Sequence, residues 1–389
     1  MAISHYGNKS CDTKTTGNDV VVLVDELLKE ATRVGASDIH FEPGGNELSV
    51  KFRLDGVLNT VETLPRAISD NVIARLKVLG NLLTYRNDIP QEGRIETNNG
   101  SPDVVDRRLS VFPTIYGQRA VVRIFYQNTE LTDLEQLGLA DQILSTLKHI
   151  ARANQGILLV TGPAGSGKST TLAAILRYIQ KQFPGKSIVT LEDPVELRLD
   201  GVTQVQITPF GPMTFPTALR SLLRQDPEVL MIGEIRDAET AKIAIEAGLT
   251  GHLLMSTMHS GRPSAAILRL LEMGIEPYQI TSSVSAVLNQ RLVRRLCENC
   301  KKDNNGDFEA VGCEKCLGTG FKGRMLIAEI MQLDGPLRKA VLARSDCDGL
   351  EKMLDEQGHK HILEDGLRFV RQGITTQAEL DKVCGSANT

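Results

Sequence analysis

Residues 156–169 read GILLVTGPAGSGKS, and this stretch decides the fold. A strand-length apolar run ends at Thr161, and the octapeptide from Gly162 to Ser169 matches G-x-x-x-x-G-K-[S/T] at each fixed position. The glycines let backbone N–H groups turn inward around phosphate oxygens, and the start of the following helix adds partial positive charge. The stretch therefore predicts a strand–loop–helix unit that binds the phosphates of a nucleotide.

The residue types in this loop predict which cofactors it takes. Lys168 is expected to reach the β- and γ-phosphates of ATP, and the Ser169 hydroxyl is expected to bind magnesium. The predicted nucleotide-binding residues are Gly162, Pro163, Ala164, Gly165, Ser166, Gly167, Lys168, Ser169 and Thr170. ATP and magnesium are thus the first two predicted cofactors.

The segments around the loop alternate between fully apolar runs and helix-length segments. Continuous apolar runs are typical of parallel strands that are buried on both faces. The apolar runs are Gly156–Thr161, Ile188–Leu191, Val229–Ile232 and Leu253–Ser256, and the helices between them are predicted at Ser169–Gln182, Phe215–Arg224 and Ala238–Gly248. This order predicts a doubly wound α/β domain of the RecA-like P-loop ATPase type.

Two of these apolar runs end in carboxylates. Glu234 follows Val229–Ile232, where it could polarise an attacking water or hold Mg²⁺ through water. Glu192 follows Ile188–Leu191, although a turn before Pro194 explains that acidic group equally well. Because the carboxyl ends of parallel strands meet at one edge of a sheet, both side chains are expected at the crevice there.

Two histidines flank the fourth apolar run, with His252 before it and His259 after it. Imidazole groups act in catalysis and also occur as structural side chains. The residues alone leave both roles open for each histidine.

Four of the seven cysteines form two C-x2-C pairs separated by a polar spacer of 12 residues. Four thiolates complete a closed tetrahedral zinc site, which is structural because no coordination position stays open. The predicted zinc ligands are Cys297, Cys300, Cys313 and Cys316. Four free thiols are the alternative.

The N-terminal third predicts a small α/β domain with its own core. Helices are expected at Val20–Val34 and Arg66–Gly80, and Asp55-Gly56 is a hairpin turn signal. The expected strands are Asp38–Phe41, Glu47–Leu54, Val57–Thr60, Val104–Phe112 and Gln118–Phe125. The predicted division of the chain is a flexible tail at 1–19, this domain at 20–127, a linker at 128–140, the ATPase domain at 141–294, the zinc segment at 295–323 and a helical C-terminal segment at 324–389.

Composition narrows the class of protein further. The net charge of −4 argues against a dedicated nucleic-acid binder, although Arg291, Arg294 and Arg295 leave a local basic patch open. No stretch approaches the ~20 apolar residues that span a bilayer. The first residues show no basic region followed by an apolar core, so a signal peptide is not expected. The expected location is the cytoplasm.

Taken in order, these motifs resemble the ATPase family that powers type II secretion and type IV pilus assembly. The matching segments are Ala36–Pro43, Arg53 to Gly56, Pro90–Arg94, Arg108 to Arg123, Thr190–Glu196 (similar to the aspartate box), Gly233–Asp237 (similar to the Walker B segment), Thr250 to His259 (similar to the histidine box), the cysteine pairs, Gly320–Arg324 and Gly373–Thr376. Residues 260–263 read Ser-Gly-Arg-Pro, where the family usually has Asn and Asp, and the cysteine spacer is short.

The resemblance implies roles that the residues alone leave open. It implies that Glu234 is the catalytic glutamate and Glu192 an active-site carboxylate. It implies that His252 and His259 sense the γ-phosphate. In a PAS-like N-terminal domain, Arg108 and Arg123 would be arginines contributed to the phosphates, where guanidinium groups offset transition-state charge.

The resemblance also implies the setting in which the protein works. The expected function is an ATP-hydrolysing cytoplasmic homo-hexamer, peripheral to the inner membrane, that powers pseudopilus or pilus assembly. Its expected partners are an inner-membrane platform protein and a docking protein on the cytoplasmic side, with no nucleic acid. The cysteine pairs favour the assembly or secretion branch over pilus retraction. The family often carries a further N-terminal docking domain, which is expected to be missing or removed before residue 20.

The sequence opposes two other functions. A DNA-transfer or helicase-like motor would share the loop, but the mild acidity and the N-terminal motifs oppose it. A nucleotide-gated scaffold without hydrolysis is opposed by the intact Lys168, Ser169 and Glu234.

Overall fold

The computed structural model describes residues 17–96, 104–126, 133–208, 211, 213–304 and 306–385. The chain divides into two compact units, residues 1–128 and 129–389. Residues 1–16 of the predicted tail and 128–132 of the predicted linker lie outside the described residues. No helix within the described ranges is both long and apolar enough to cross a bilayer.

The N-terminal unit is a six-stranded antiparallel sheet with two helices. Its elements are α1 (Gly17–Arg33), β1 (Asp38–Pro43), β2 (Glu47–Leu54), β3 (Val57–Pro65), α2 (Arg66–Leu79), β4 (Gln91–Arg94), β5 (Val104–Thr114) and β6 (Gly117–Tyr126). The strand order is β3-β2-β1-β6-β5-β4. Alternate strand residues such as Phe41, Val50 and Val122 are fully buried in one core with the apolar sides of both helices. The period-two pattern thus divides the sheet into a core face and an opposite polar face.

The last two strands predicted for this unit form a hairpin. Strands β5 and β6 pair antiparallel, and Arg108 lies directly opposite Arg123. A turn at residues 115–116 joins the strands, and Gly117 has a φ of 112°. That angle lies in the region that only glycine adopts readily.

The C-terminal unit is built on a seven-stranded sheet covered by helices. It contains α3 (Asp141–Ala151), β7 (Gly156–Thr161), α4 (Lys168–Gln182), β8 (Ile188–Glu192), β9 (Thr203–Gln206), α5 (Phe215–Leu222), β10 (Val229–Ile232), α6 (Ala238–Leu249), β11 (Leu253–Met258), α7 (Pro263–Glu272), α8 (Pro277–Ser283), β12 (Val284–Leu296), β13 (Lys302–Asn304), β14 (Asp307–Glu309), β15 (Phe321–Gln332), α9 (Gly335–Leu342), α10 (Cys347–Glu356), α11 (Ile362–Arg371) and α12 (Gln377–Cys384). The strand order is β15-β12-β7-β11-β10-β8-β9.

The four predicted apolar strands form the centre of this sheet. Strands β7, β8, β10 and β11 pair parallel to their neighbours, and every residue in them is buried. The mixed α/β class predicted from the sequence is therefore confirmed. Parallel order places the carboxyl ends of these strands along one edge of the sheet.

Two strands at the other side of this sheet were not predicted. Strand β12 pairs parallel with β7, and β15 pairs antiparallel with β12. The C-terminal segment from residue 324 was expected to be mostly helical; its first nine residues belong instead to β15, and the helices α9 to α12 follow. Residues 325–331 are almost continuously apolar, and such a run cannot be told from a buried helix by periodicity alone.

The predicted linker at 128–140 also needs correction where the structure describes it. Residues 134–137 form a short 3-10 turn, and Leu134, Leu137 and Leu139 are buried in the core of the C-terminal unit. Three leucines within six residues carry enough apolar surface to favour packing over a free connection. This part of the segment is a packed piece of the C-terminal unit.

Candidate nucleotide and metal sites

The glycine-rich loop lies between β7 and α4, where the sequence placed it. Gly162, Gly165 and Gly167 have φ values of 139°, 73° and 87°, which side-chain-bearing residues rarely adopt. A Cβ atom on Gly162 would lie 2.3 Å from the carbonyl oxygen of Gln290 on β12. Glycine is therefore required there both by the backbone angle and by the close approach of β12.

Lys168 is held at this loop by its own neighbours. Its Nζ donates to the carbonyl oxygens of Gly162 and Pro163, each at 2.9 Å, and the side chain is buried. Burial lowers the pKa of Lys168, while the carboxylates of Glu234 and Glu196 oppose that shift. The ammonium group is thus fixed at the loop in a setting that favours a nearby anion.

Gln290 supports the loop from β12, and sequence reasoning missed it. Its Nε2 donates to the Ser166 carbonyl at 2.8 Å. The Ser166 hydroxyl is buried without a hydrogen-bond partner, and buried hydroxyls usually have one. Gln290 lies on an unpredicted strand far along the chain, so nothing in the local pattern could have identified it. The orphaned hydroxyl and the glycine cradle fit a phosphate group.

Glu234 follows β10 and meets charged groups from neighbouring segments. It accepts a hydrogen bond from Arg236, and its Oε2 lies 3.6 Å from His259 Nε2. The Arg236 hydrogen bond, with further help from the charges of Arg236, His259 and Lys168, lowers the pKa of Glu234. The structure therefore brings Glu234, His259 and Lys168 together, with the carboxyl ionised near neutral pH.

Glu192 ends β8 in a different environment. It is buried and accepts hydrogen bonds from Thr190 Oγ1 at 2.6 Å and Gln204 Nε2 at 3.1 Å. Burial raises the pKa of Glu192, although those two hydrogen bonds oppose the shift. The two carboxyls at this edge of the sheet thus have pKa values displaced in opposite directions, which is how paired acids acquire separate roles.

His252 lies at the other edge of the sheet. Its carbonyl accepts from the backbone N–H of Gly156, the first residue of β7, and its Nδ1 is 3.2 Å from the Ala247 carbonyl oxygen. The loop follows the opposite end of β7, and β7 and β11 run parallel. Six strand residues, about 20 Å, separate the two edges. The structure brings His259 to the loop edge and does not bring His252 there.

Arg108 and Arg123 form a patch on the polar face of the N-terminal sheet. Arg123 Nε donates to Asp38 Oδ1 at 3.0 Å, and Arg108 Nε donates to Asp106 Oδ2 at 3.3 Å. The Arg123 side chain is 65% exposed and that of Arg108 is 49% exposed, so much of each side chain faces solvent. Arg94 lies opposite Arg108 on β4 and extends the same row. The row presents a surface suited to an anion.

The four predicted zinc ligands converge between β12 and β15. The Sγ–Sγ distances are 3.9 Å for Cys297–Cys313, 3.8 Å for Cys300–Cys316 and 3.7 Å for Cys313–Cys316. In a tetrahedral site with Zn–S bonds of about 2.3 Å, sulfur atoms lie about 3.8 Å apart. Backbone N–H groups of Cys313 and Gly320 also donate to Cys316 Sγ. The donor set fits a four-thiolate metal site.

Comparison with known proteins finds one family model that matches nearly the whole chain. The model describes a type II/IV secretion system protein and matches residues 14–382. The type IV pilus assembly ATPase PilB of Thermus thermophilus is 42% identical over 92% of this chain, which spans only 42% of that protein. The type II secretion system protein HxcR of Pseudomonas aeruginosa is 41% identical over 95% of this chain and 78% of its own length. The type II secretion system ATPase E of Vibrio cholerae is 41% identical over 94% of this chain and 75% of its own length.

Solved structures support the fold. The pilus retraction motor PilT superposes with a TM-score of 0.62 at 23% identity, covering 93% of this chain and 97% of that one. The Legionella pneumophila ATPase DotB superposes with a TM-score of 0.69 at 23% identity, covering 94% and 96%. At this identity the likeness describes architecture alone.

Proposed function

The chain belongs to the type II/IV secretion system protein family, and on that premise we propose that it is an ATP-hydrolysing hexameric motor for pseudopilus or pilus assembly. One observation carries the proposal. Glu234, His259 and Lys168 lie together where β7, β10 and β11 end, beside a loop that fits phosphate. An ionised carboxylate at this place can accept a proton from an attacking water, which hydrolysis requires.

The proposed chemistry assigns one task to each group. The start of α4, with Lys168, balances the charge of the β- and γ-phosphates, and Ser169 binds Mg²⁺. Glu234 takes the proton of a water that attacks the γ-phosphorus, while the bond to the bridging oxygen breaks and ADP leaves. His259 lies beside Glu234, where an imidazole can respond to the γ-phosphate. Glu192, with its raised pKa, is the second carboxylate at the same edge.

The zinc proposal rests on the four thiolates. A closed four-thiolate site holds its metal for structure, so we assign zinc a stabilising role. Cys297 directly follows β12, and Phe321 begins β15 soon after Cys316. Zinc would tie together the ends of these two strands.

Arg108 and Arg123 are proposed to supply guanidinium groups to the phosphates during hydrolysis. Replacing either arginine with alanine should lower kcat at least about tenfold. The loss should be smaller than the 10³–10⁵-fold effect of a single arginine finger, because two guanidinium groups share the task. ADP affinity should stay near that of the wild type, because Lys168 and the loop are untouched. Phosphate release and ADP titration measure the two quantities. Arg33→Ala is the control, since Arg33 is an exposed arginine of the same unit paired with Glu30. Wild-type rates in both variants would make these arginines surface residues.

The motor proposal predicts which partner stimulates hydrolysis. The partners we propose are an inner-membrane platform protein and a cytoplasmic-side docking protein, which would hold the hexamer at the membrane. Phosphate release is measured with vesicles that carry the platform protein of the same secretion or pilus system, with empty vesicles and with DNA. We expect several-fold stimulation by the platform protein alone, because motors couple hydrolysis to a load-bearing partner. Stimulation by DNA alone would favour a nucleic-acid motor, and no hydrolysis under any condition would favour a scaffold.

A further inference from the structure

A second group of metal-binding side chains lies in the C-terminal unit, apart from the cysteines. Glu329 projects from β15, and His359 and His361 lie in the short connection between α10 and α11. Their candidate ligand atoms all lie within 4.8 Å of one another. The Glu329 side chain is 4% exposed and that of His359 is 10% exposed. Two imidazoles and one carboxylate thus converge in a largely buried place.

The distances in this group fit coordination better than hydrogen bonding. Glu329 Oε2 lies 3.4 Å from His361 Nδ1 and 3.6 Å from His359 Nε2. Good N–H···O hydrogen bonds span 2.7–3.2 Å. Two ligands bound tetrahedrally at about 2.0–2.1 Å from one zinc ion lie about 3.3–3.4 Å apart. The two distances from Glu329 Oε2 are therefore close to the spacing of neighbouring ligands of a single ion, and the remaining pair of atoms lies within 4.8 Å.

One atom of the group lacks the partner that its burial requires. His359 Nε2 is buried without a hydrogen-bond partner in the described structure. Nearly all buried polar side-chain atoms have a partner, and an ion or a water is one way to supply it. The nearest carboxylate oxygen, Glu329 Oε2, is 3.6 Å away, beyond hydrogen-bond reach, and an ion held by both atoms would satisfy both.

The surrounding groups orient the three side chains as outer partners of a metal site do. His361 Nε2 lies 2.6 Å from Asp355 Oδ1, which leaves Nδ1 free to coordinate. Glu329 accepts from Asn289 Nδ2 at 2.7 Å and from the Ile362 N–H at 3.1 Å. A carboxylate behind a coordinating histidine fixes its tautomer and ring orientation. Asp355 stands in this relation to His361.

We propose that Glu329, His359 and His361 form a second metal site for a divalent ion of the zinc class. Two nitrogens and one oxygen suit zinc and its neighbours better than calcium or magnesium, which prefer oxygen ligands. A water would complete four-coordination. The bound ion would hold the connection between α10 and α11 against β15. Asn289 also accepts from Thr161 Oγ1 at 3.3 Å, so the site is linked to the residue that precedes the glycine-rich loop.

The test counts metal in the full chain after equilibration with excess zinc and removal of free ion. Elemental analysis should find two zinc ions per chain in the wild type. It should find one in His359→Ala/His361→Ala, and one in Cys297→Ser/Cys313→Ser. His149→Ala removes an exposed histidine of α3 and is the matched control, with two expected. One zinc in the wild type and in the double-histidine variant, lost with the cysteines, would overturn the second site.

A milder variant keeps the test decisive if the double-histidine variant fails to fold. Asp355 is an exposed residue of α10, and its carboxylate lies beside His361 Nε2, the ring nitrogen that faces away from Glu329. Asp355→Asn should weaken zinc affinity at this site about 10- to 100-fold, as loss of an outer carboxylate does. The affinity is measured by competition with a chelator in the Cys297→Ser/Cys313→Ser background. Cobalt in the same background should give the spectrum of nitrogen and oxygen ligands without thiolate bands. Unchanged affinity in Asp355→Asn, or no cobalt bound, would show a plain histidine–glutamate ion pair.

Discussion

Lys168→Ala is expected to abolish measurable ATP turnover and to weaken nucleotide binding. Its Nζ is the buried ammonium at the glycine-rich loop, and it donates to the Gly162 and Pro163 carbonyls. Without it, those carbonyls lose a donor and the phosphates lose their main charge partner. Loss of one such electrostatic contact in an active site costs about 10²–10³-fold in kcat, and weaker binding adds to that loss. Phosphate release and titration with a fluorescent ATP analogue measure both effects.

Lys181→Ala provides the control for this experiment. Lys181 lies on the same helix, α4, but its side chain is 71% exposed. Its Nζ forms a long ion pair with Asp133 Oδ1, at 3.7 Å. Its removal should change turnover less than twofold, since exposed ion pairs contribute little. Turnover near the wild-type rate in Lys168→Ala would mean that the loop is not the site of hydrolysis.

Glu234→Gln should spare nucleotide binding while kcat falls about 10²-fold or more. Glutamine keeps the size of the side chain and a hydrogen-bond acceptor for Arg236, but it cannot take a proton from water. The lowered pKa of Glu234 means that the carboxylate is the form present near neutral pH, so the charge is lost as well. Single-turnover hydrolysis, combined with ATP titration, separates the chemical step from binding.

Glu239→Gln is the matched control for that variant. Glu239 lies in the first turn of α6, is exposed and pairs with Arg220. If Glu234→Gln hydrolyses ATP normally, the proton acceptor is another group. Glu192→Gln then identifies it, because Glu192 is the other carboxyl at this edge and its pKa is raised.

The sequence predicted the loop edge well because local patterns determine it. Apolar runs gave the four central strands, and parallel order then required residues after those strands to meet, as Glu234 and His259 do. The family resemblance implied one role for both histidines, whereas the order of the strand separates them. Once the strand is oriented, His252 falls before it and His259 after it, at opposite edges.

What the sequence could not predict depends on pairing between distant segments. Gln290 and Asn289 support the loop from β12, a strand that lies more than a hundred residues after it and was not recognised. The group around Glu329 joins β15 to a connection thirty residues later. A carboxylate within an apolar strand and the spacing His-x-His were the available signals. Neither indicates a partner until the strand is placed in the sheet.

Strand β12 connects the neighbourhood of the glycine-rich loop to the cysteine segment. Its first half lies beside β7, with Asn289 next to Thr161, and its far end at Leu296 leads directly into the cysteine segment. From Asn289 to Leu296 the strand extends about 23 Å, stiffened by its ladder with β15. The ladder is interrupted once in this stretch, by an irregularity between Arg294 and Leu296. In the motor proposed above, β12 is the covalent path by which a load on the cysteine segment would reach the neighbour of the strand that precedes the glycine-rich loop.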